Sequence, residues 1–261
     1  MTDSRAFARR DFLAVGGAAA ILAAAPAMAK TVTQDARDGA RKFFPDGRVH
    51  PFAGNTIICH LDQQGPRSLP FDTMLDIYRE LPGKSYARKL ALLPPSSYHM
   101  TLFGGATDAN RAPGQWPRDV PAEASIAECN QIVGARLRAA PVASPAEIRM
   151  KVDTPDSGYD GNTLRIPLAP RDDAEAETLR VLRDSWSDVV GVRSPTHDEY
   201  QFHITIGYLI RPLGPRETRD ALADMASWKA RMASSSPVIA FGRPEYCTFA
   251  DMFAFKRQFF L

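Results

Sequence analysis

Residues 98–102 read Tyr-His-Met-Thr-Leu, and residues 202–206 read Phe-His-Ile-Thr-Ile. Position by position the stretches match: aromatic, histidine, apolar, threonine, apolar. Their histidines lie 104 residues apart. Each copy has helical and strand-like segments around it, so each can sit in one half of a duplicated architecture. Side chains alternate along a strand. His99 and Thr101 therefore share one face while Met100 and Leu102 take the other. His203 and Thr205 stand in the same relation to Ile204 and Ile206. One face packs, and the opposite face presents an imidazole and a hydroxyl roughly 7 Å apart along the strand. If the halves face each other, two histidines and two threonines converge on one groove. By the same alternation Tyr98, Phe202 and Tyr208 fall on the packing side.

Working outward, β-rich runs occupy 55–61, 90–93, 98–103, 148–152, 163–168, 200–210, 238–241, 245–249 and 253–259. The pair Gly104-Gly105 reads as the stop of the first motif strand. Helical spacing covers 70–81, 122–139, 172–190 and 215–232. Asp172-Asp173 favours one helix N-terminus, and Pro215 opens another. Residues 106–121 hold Gly114 and three prolines and read as a long loop. No Gly-rich β-α turn of a dinucleotide-binding unit is present. The expected class is α+β with antiparallel sheets.

The paired motif suits a phosphodiester. Displacement at phosphorus places nucleophile and leaving oxygen on opposite sides. A neutral imidazole removes the nucleophile's proton while a protonated one supplies the leaving oxygen. Histidine's pKa near neutrality lets both forms coexist. The threonine hydroxyls can donate to the non-bridging oxygens. The chemistry calls for no metal and no cofactor.

Two H-x-[TS]-hydrophobic motifs about a hundred residues apart resemble the 2H phosphoesterase superfamily, which includes bacterial RNA 2',3'-cyclic phosphodiesterases (also called 2'-5' RNA ligases). The resemblance spans about residues 50–261. It implies that His99 and His203 are catalytic and that Thr101 and Thr205 bind the phosphate. It further implies a bilobal fold of two pseudo-twofold-related antiparallel sheets, with outer helices and a central groove. By the same resemblance His203 is the general base and His99 the general acid, a distinction the symmetric motif itself does not make.

The first 29 residues stand apart. Arg9-Arg10, an apolar run from Phe12 to Ala25 and Ala27-Met28-Ala29 form a twin-arginine-type signal peptide, too short in its apolar run for a membrane span. Residues 30–50 read as an N-terminal arm and 51–261 as the two-lobed domain. The expected location is periplasmic or secreted, with no membrane span after cleavage. The chain carries 32 Lys+Arg against 30 Asp+Glu, and the leader holds three arginines and two aspartates, so the rest is almost neutral. That balance argues against a large nucleic-acid surface and leaves room for a small phosphate-bearing ligand; the expected partner is a small nucleotide or other phosphodiester, and the expected state a monomer.

Three widely spaced cysteines, Cys59, Cys129 and Cys247, make no disulfide framework; a Cys59–Cys247 bridge is the one pairing left open. His60 ends the first strand and can approach the groove. His197 lies beside Asp198 and Glu199 and reads as a solvated loop residue rather than a ligand. Arg165 interrupts an apolar strand and is either a solvent-facing alternate or a cation aimed at phosphate. The expected activity is a metal-independent phosphodiesterase. A non-catalytic binding module for a phosphorylated ligand and a metal-dependent hydrolase are the alternatives.

Overall fold

The computed structural model describes residues 42–261; the leader and residues 30–41 of the arm lie outside the described residues. Nine strands form one antiparallel sheet: β1 (Gly54–His60), β2 (Leu90–Leu92), β3 (His99–Thr107), β4 (Ile148–Val152), β5 (Thr163–Pro170), β6 (Phe202–Leu209), β7 (Ile239–Phe241), β8 (Glu245–Phe249) and β9 (Lys256–Phe260). The order across the sheet is β7-β4-β5-β6-β3-β1-β8-β9, with β2 beside β6. This order is palindromic about the β6–β3 junction. The first motif strand is flanked by β1, β8 and β9, the second by β5, β4 and β7. The α+β class and the two related sheet halves are thus as the sequence pattern implied, curled into a half-barrel and fused through the motif strands.

Four helices cover the sheet: α1 (Leu69–Glu80), α2 (Ile126–Ala139), α3 (Asp173–Val190) and α4 (Pro215–Ser235). In α2 the Ser125 hydroxyl accepts from the Glu128 backbone while the Glu128 carboxylate accepts from the Ser125 backbone. That capping box fixes the start at Ile126, later than the apolar spacing from 122 suggested. Asp172 caps α3 by accepting from the Glu175 N–H at 3.0 Å. α1 packs against α4, and α2 against α3. One apolar core runs under both sheet halves, including Tyr98, Met100, Ile204, Trp186 and Trp228, all at most 2% exposed. Phe43, within the stretch read as an arm, is part of that core.

Gly104-Gly105 does not end β3, which runs on to Thr107. The glycines instead admit a neighbour: a Cβ on Gly105 would lie 2.0 Å from Asn55 Oδ1. That oxygen accepts from the Ala106 N–H across the strand pair. Among the described residues no helix is long and apolar enough to cross a membrane.

Candidate active site

The two motif strands meet in antiparallel register at Met100 and Ile204. Both of these side chains are fully buried in the core. Counting one residue either way along the antiparallel pair sets His99 beside Thr205 and Thr101 beside His203. All four side chains are partly exposed on the opposite, groove-facing side.

Each strand carries a bulge at the same place. Between β1 and β3 the pairing steps from Ile57–Phe103 to Ile58–Thr101, and between β5 and β6 from Leu164–Gly207 to Arg165–Thr205. Leu102 and Ile206 are the extra residues. A bulge bends its strand and re-aims the side chains next to it. It also inverts the alternation beyond it. Tyr208 pairs with Thr163, on Arg165's face of the sheet, so it lies on the groove side and not on the packing side that strict alternation gave. Its ring carries Lys42 Nζ at 4.8 Å. Tyr98 and Phe202 are buried, as alternation required.

The histidines are held alike. His99 Nδ1 lies 2.6 Å from the Ser97 carbonyl, and His203 Nδ1 lies 2.8 Å from that of Gln201. A carbonyl only accepts, so Nδ1 carries the hydrogen and Nε2 is left with the lone pair for chemistry. Burial pushes both rings down from the ordinary value, His99 to about 3 and His203 to about 4. The other contributions differ between the halves. Glu245 raises His99, while His60 and His203 lower it; Arg165 lowers His203, while Asp160 raises it. Both rings are therefore neutral in the empty groove near pH 7.

Thr101 has a further partner. Its side chain hydrogen-bonds the Tyr200 phenol, which burial raises to about 12. The Tyr200 ring lies under the Arg183 guanidinium, 4.2 Å away. Arg183, 6% exposed, donates Nη1 to the carbonyl of the bulge residue Leu102 and Nη2 to that of His197. One buried arginine of α3 thus holds the bulge, the Thr101 neighbour and the loop before β6 together. No composition or spacing signal marks Arg183 or Tyr200; their roles follow from tertiary packing.

The halves differ beside the motifs. His99 has His60 as its cross-strand neighbour where His203 has Pro167; Thr101 has Ile58 where Thr205 has Arg165. His60 Nδ1 lies 3.0 Å from Glu245 Oε2, and its ring is edge-on to His99 at 6.1 Å. Glu245, 5% exposed, also receives Arg257 at 3.5 Å. Burial raises its pKa, but His60 and Arg257 outweigh that and hold it below the usual value. Phe255 covers His99 at 4.2 Å between ring centres. On the other side Arg165 pairs with Asp160 and with Asp156 at 3.4 Å. Its Nε is buried without a partner. Arg165 is thus not a solvent-facing alternate; it sits on the groove face with one donor uncommitted.

Among the described residues, two groups of side chains have the composition of metal ligands. His60, Glu245 and Cys247 bring ligand atoms within 4.8 Å of one another, as do Asp184, His197 and Asp198. The first set is a poor donor set: burial and Glu245 push the Cys247 thiol up to about 12, and the carboxylate is committed to His60 and Arg257. In the second, Arg193 engages both aspartates. His197, read as solvated, is 5% exposed and lies 3.2 Å from Asp184. Packing against Phe103 and Arg183 buries it, and that carboxylate satisfies its ring. Cys59, Cys129 and Cys247 are free and buried, so the Cys59–Cys247 bridge does not form.

Two cavities flank the groove at Tyr200. One of about 250 Å³ is lined by Gly104, Gly105, Asn110, Gln115, Lys42 and Tyr200. Another of about 430 Å³ lies among Asp156, Pro167, Arg180, Arg183, Gln201 and Tyr200. Neither is lined by His99 or His203; both lie next to the Thr101 and His203 end of the site.

Comparison with known proteins supports the fold. Residues 42–158 match the family model 2H-phosphodiest, described as "Domain of unknown function (DUF1868)". That span contains the first motif and not the second. A crystal structure of a conserved protein of unknown function from Agrobacterium tumefaciens strain C58 superposes with a TM-score of 0.77 at 26% identity, covering 87% of this chain and 94% of that one. No curated protein matches.

Proposed function

We propose that this chain, whose residues 42–158 match the model 2H-phosphodiest, is a metal-independent phosphodiesterase acting on a cyclic phosphate or short nucleotide diester. The match to that model supports phosphodiesterase chemistry in general. The finer reading rests chiefly on one observation: the Met100–Ile204 pairing brings two identically tethered histidines and two threonines to one groove. In this reading His203 Nε2 takes the proton of the attacking water and His99 Nε2 protonates the leaving oxygen. Thr101 and Thr205 donate to the non-bridging oxygens, and the Arg165 cation across from Thr205 lies close behind them. The remainder of the substrate lies against Tyr200 in the 250 Å³ cavity, where Asn110 and Gln115 offer both donors and acceptors.

Burial lowers His99 more than His203, which in the empty groove opposes this division of roles. A bound phosphodiester anion lies against both rings and favours their protonated forms. Around His99 the Glu245 carboxylate favours a proton and His60 opposes it; around His203 Arg165 opposes a proton and Asp160 favours it. The division of roles therefore follows the family resemblance rather than this field. The enzyme works as an exported monomer, the leader being a twin-arginine signal that carries the folded domain. Incubating the purified protein with the four 2',3'-cyclic nucleotides and resolving the products by chromatography tests the activity. A single nucleoside monophosphate product is expected; unreacted substrate under all conditions would refute it.

A further inference from the structure

The His99 half holds a pair of groups for which the His203 half has no counterpart. His60 stands at the cross-strand position that Pro167 fills in the other half. Glu245 on β8 receives His60 Nδ1 at 3.0 Å. It is 5% exposed and is further held by Arg257 of β9. The pair is therefore an addition to the duplicated motif. We propose that Glu245 and His60 form a proton relay that reloads His99, acting through it on the leaving oxygen of the phosphodiester; this rests on the activity proposed above.

The geometry fits that role. Because Nδ1 faces Glu245, His60 keeps Nε2 for the groove. The His60 and His99 ring centres are 6.1 Å apart and near-perpendicular, a separation that admits direct transfer or one intervening water. Phe255 lies against His99 at 4.2 Å and covers part of its approach from solvent, whereas His60 remains partly exposed. The charged and titratable groups around His60 are His99 on β3, Glu245 and Cys247 on β8, and Arg257 on β9. Of these only Glu245 supplies negative charge, through a carboxylate that accepts from His60 Nδ1 and fixes the orientation of its ring.

The proton balance closes without another reactant. When the bond from phosphorus to the leaving oxygen breaks, its electron pair goes to that oxygen, which takes the Nε2 proton of His99. His99 becomes neutral and receives the Nε2 proton of His60. His60 then takes a proton from solvent while Glu245 stays ionised. The proton that His203 removed from water returns to solvent.

The test uses the leaving group. A 2',3'-cyclic nucleotide expels a ribose alkoxide that must be protonated, whereas bis(p-nitrophenyl) phosphate expels a phenolate that need not be. With the full chain, His60→Gln should lower kcat on the cyclic nucleotide by about 10- to 100-fold. It should leave KM, and turnover of the nitrophenyl ester, within about twofold. Glu245→Gln should give a smaller loss in the same direction; because that carboxylate is buried, His60→Gln is the deciding variant if Glu245→Gln fails to fold. Equal losses on both substrates would mean that His60 only supports the structure, and no loss on either would remove the relay; each overturns the proposal. Wild-type protein inactive on both substrates would instead overturn the phosphodiesterase reading.

Discussion

Met100 and Ile204 are paired across the junction of the two motif strands, each with its side chain in the core. Everything in the groove depends on that one pair. It sets each histidine beside the threonine of the other copy, and a slip of one residue would turn the histidine and threonine of the slipped strand to the wrong face. Shortening Met100 to Ala should therefore cost about 2–5 kcal/mol in stability. It should lower activity beyond what the lost folded fraction explains. Urea unfolding alongside kcat at saturating substrate separates the two effects.

Substituting either histidine removes one partner of an acid–base pair. His99→Ala and His203→Ala should each reduce kcat by roughly 10²–10⁴-fold. The double variant should lose less than the product of the singles, because the groups act as a unit. Circular dichroism would verify that the fold is kept.

The free protein holds both histidines neutral near pH 7, with values pushed to about 3 and about 4. The mechanism needs a proton on one of them, so kcat/KM should reach its maximum below pH 6.5 and fall toward pH 8. Bound phosphate favours the protonated form, so the kcat profile should lie to the alkaline side of the kcat/KM profile. Stability follows the opposite course. A histidine whose folded pKa is depressed contributes stability that is present above its unfolded value of about 6.5. That contribution is lost as pH falls through the window toward 4 and 3. Thermal unfolding between pH 7 and pH 4 should show a steeper drop for the wild type than for a His99→Gln/His203→Gln variant.

Arg183 holds the bulge after Thr101. Arg183→Met would leave the Leu102 and His197 carbonyls bare, at about 1–3 kcal/mol for each. Thr101 would also lose the fixed position of its Tyr200 neighbour. Thr101→Val and Thr205→Val, by contrast, should weaken phosphate contacts while leaving the pH limbs in place, whereas Arg165→Met should also raise the limb set by His203, which that cation lowers. Parallel Tm and pH–rate measurements distinguish the two classes.

The architecture was legible where it depends on local pattern. The His-x-Thr echo, the apolar alternation of Met100, Leu102, Ile204 and Ile206, and the caps at Asp172 and Pro215 all carry short-range signals. The bulges at Leu102 and Ile206 carry none, and they are why Tyr208 turned out to face the groove. Gly104-Gly105 was a breaker by composition but a point of close approach for Asn55 in the fold. His197 lies among charged loop residues in sequence, and only packing buries it. Glu245 and Arg257 reach His60 and the His99 side of the groove from strands more than 140 residues downstream of His99, a distance over which one sequence gives no pairing information.

The proposed export rests on the leader alone. Arg9→Lys with Arg10→Lys should leave full-length protein in the cytoplasm, read by fractionation and by the mass of the N-terminus. Processed protein outside the cytoplasm in that double variant would refute the twin-arginine reading.

The central claim is that two histidines, and no metal, carry out phosphodiester hydrolysis. The most direct measurement is the initial rate on a 2',3'-cyclic nucleotide, with and without excess EDTA, for the wild type, His99→Ala and His203→Ala. The account predicts equal wild-type rates in both conditions and near-complete loss in each variant. A wild-type rate abolished by EDTA and restored by a divalent ion, or near-normal turnover in either variant, would contradict it.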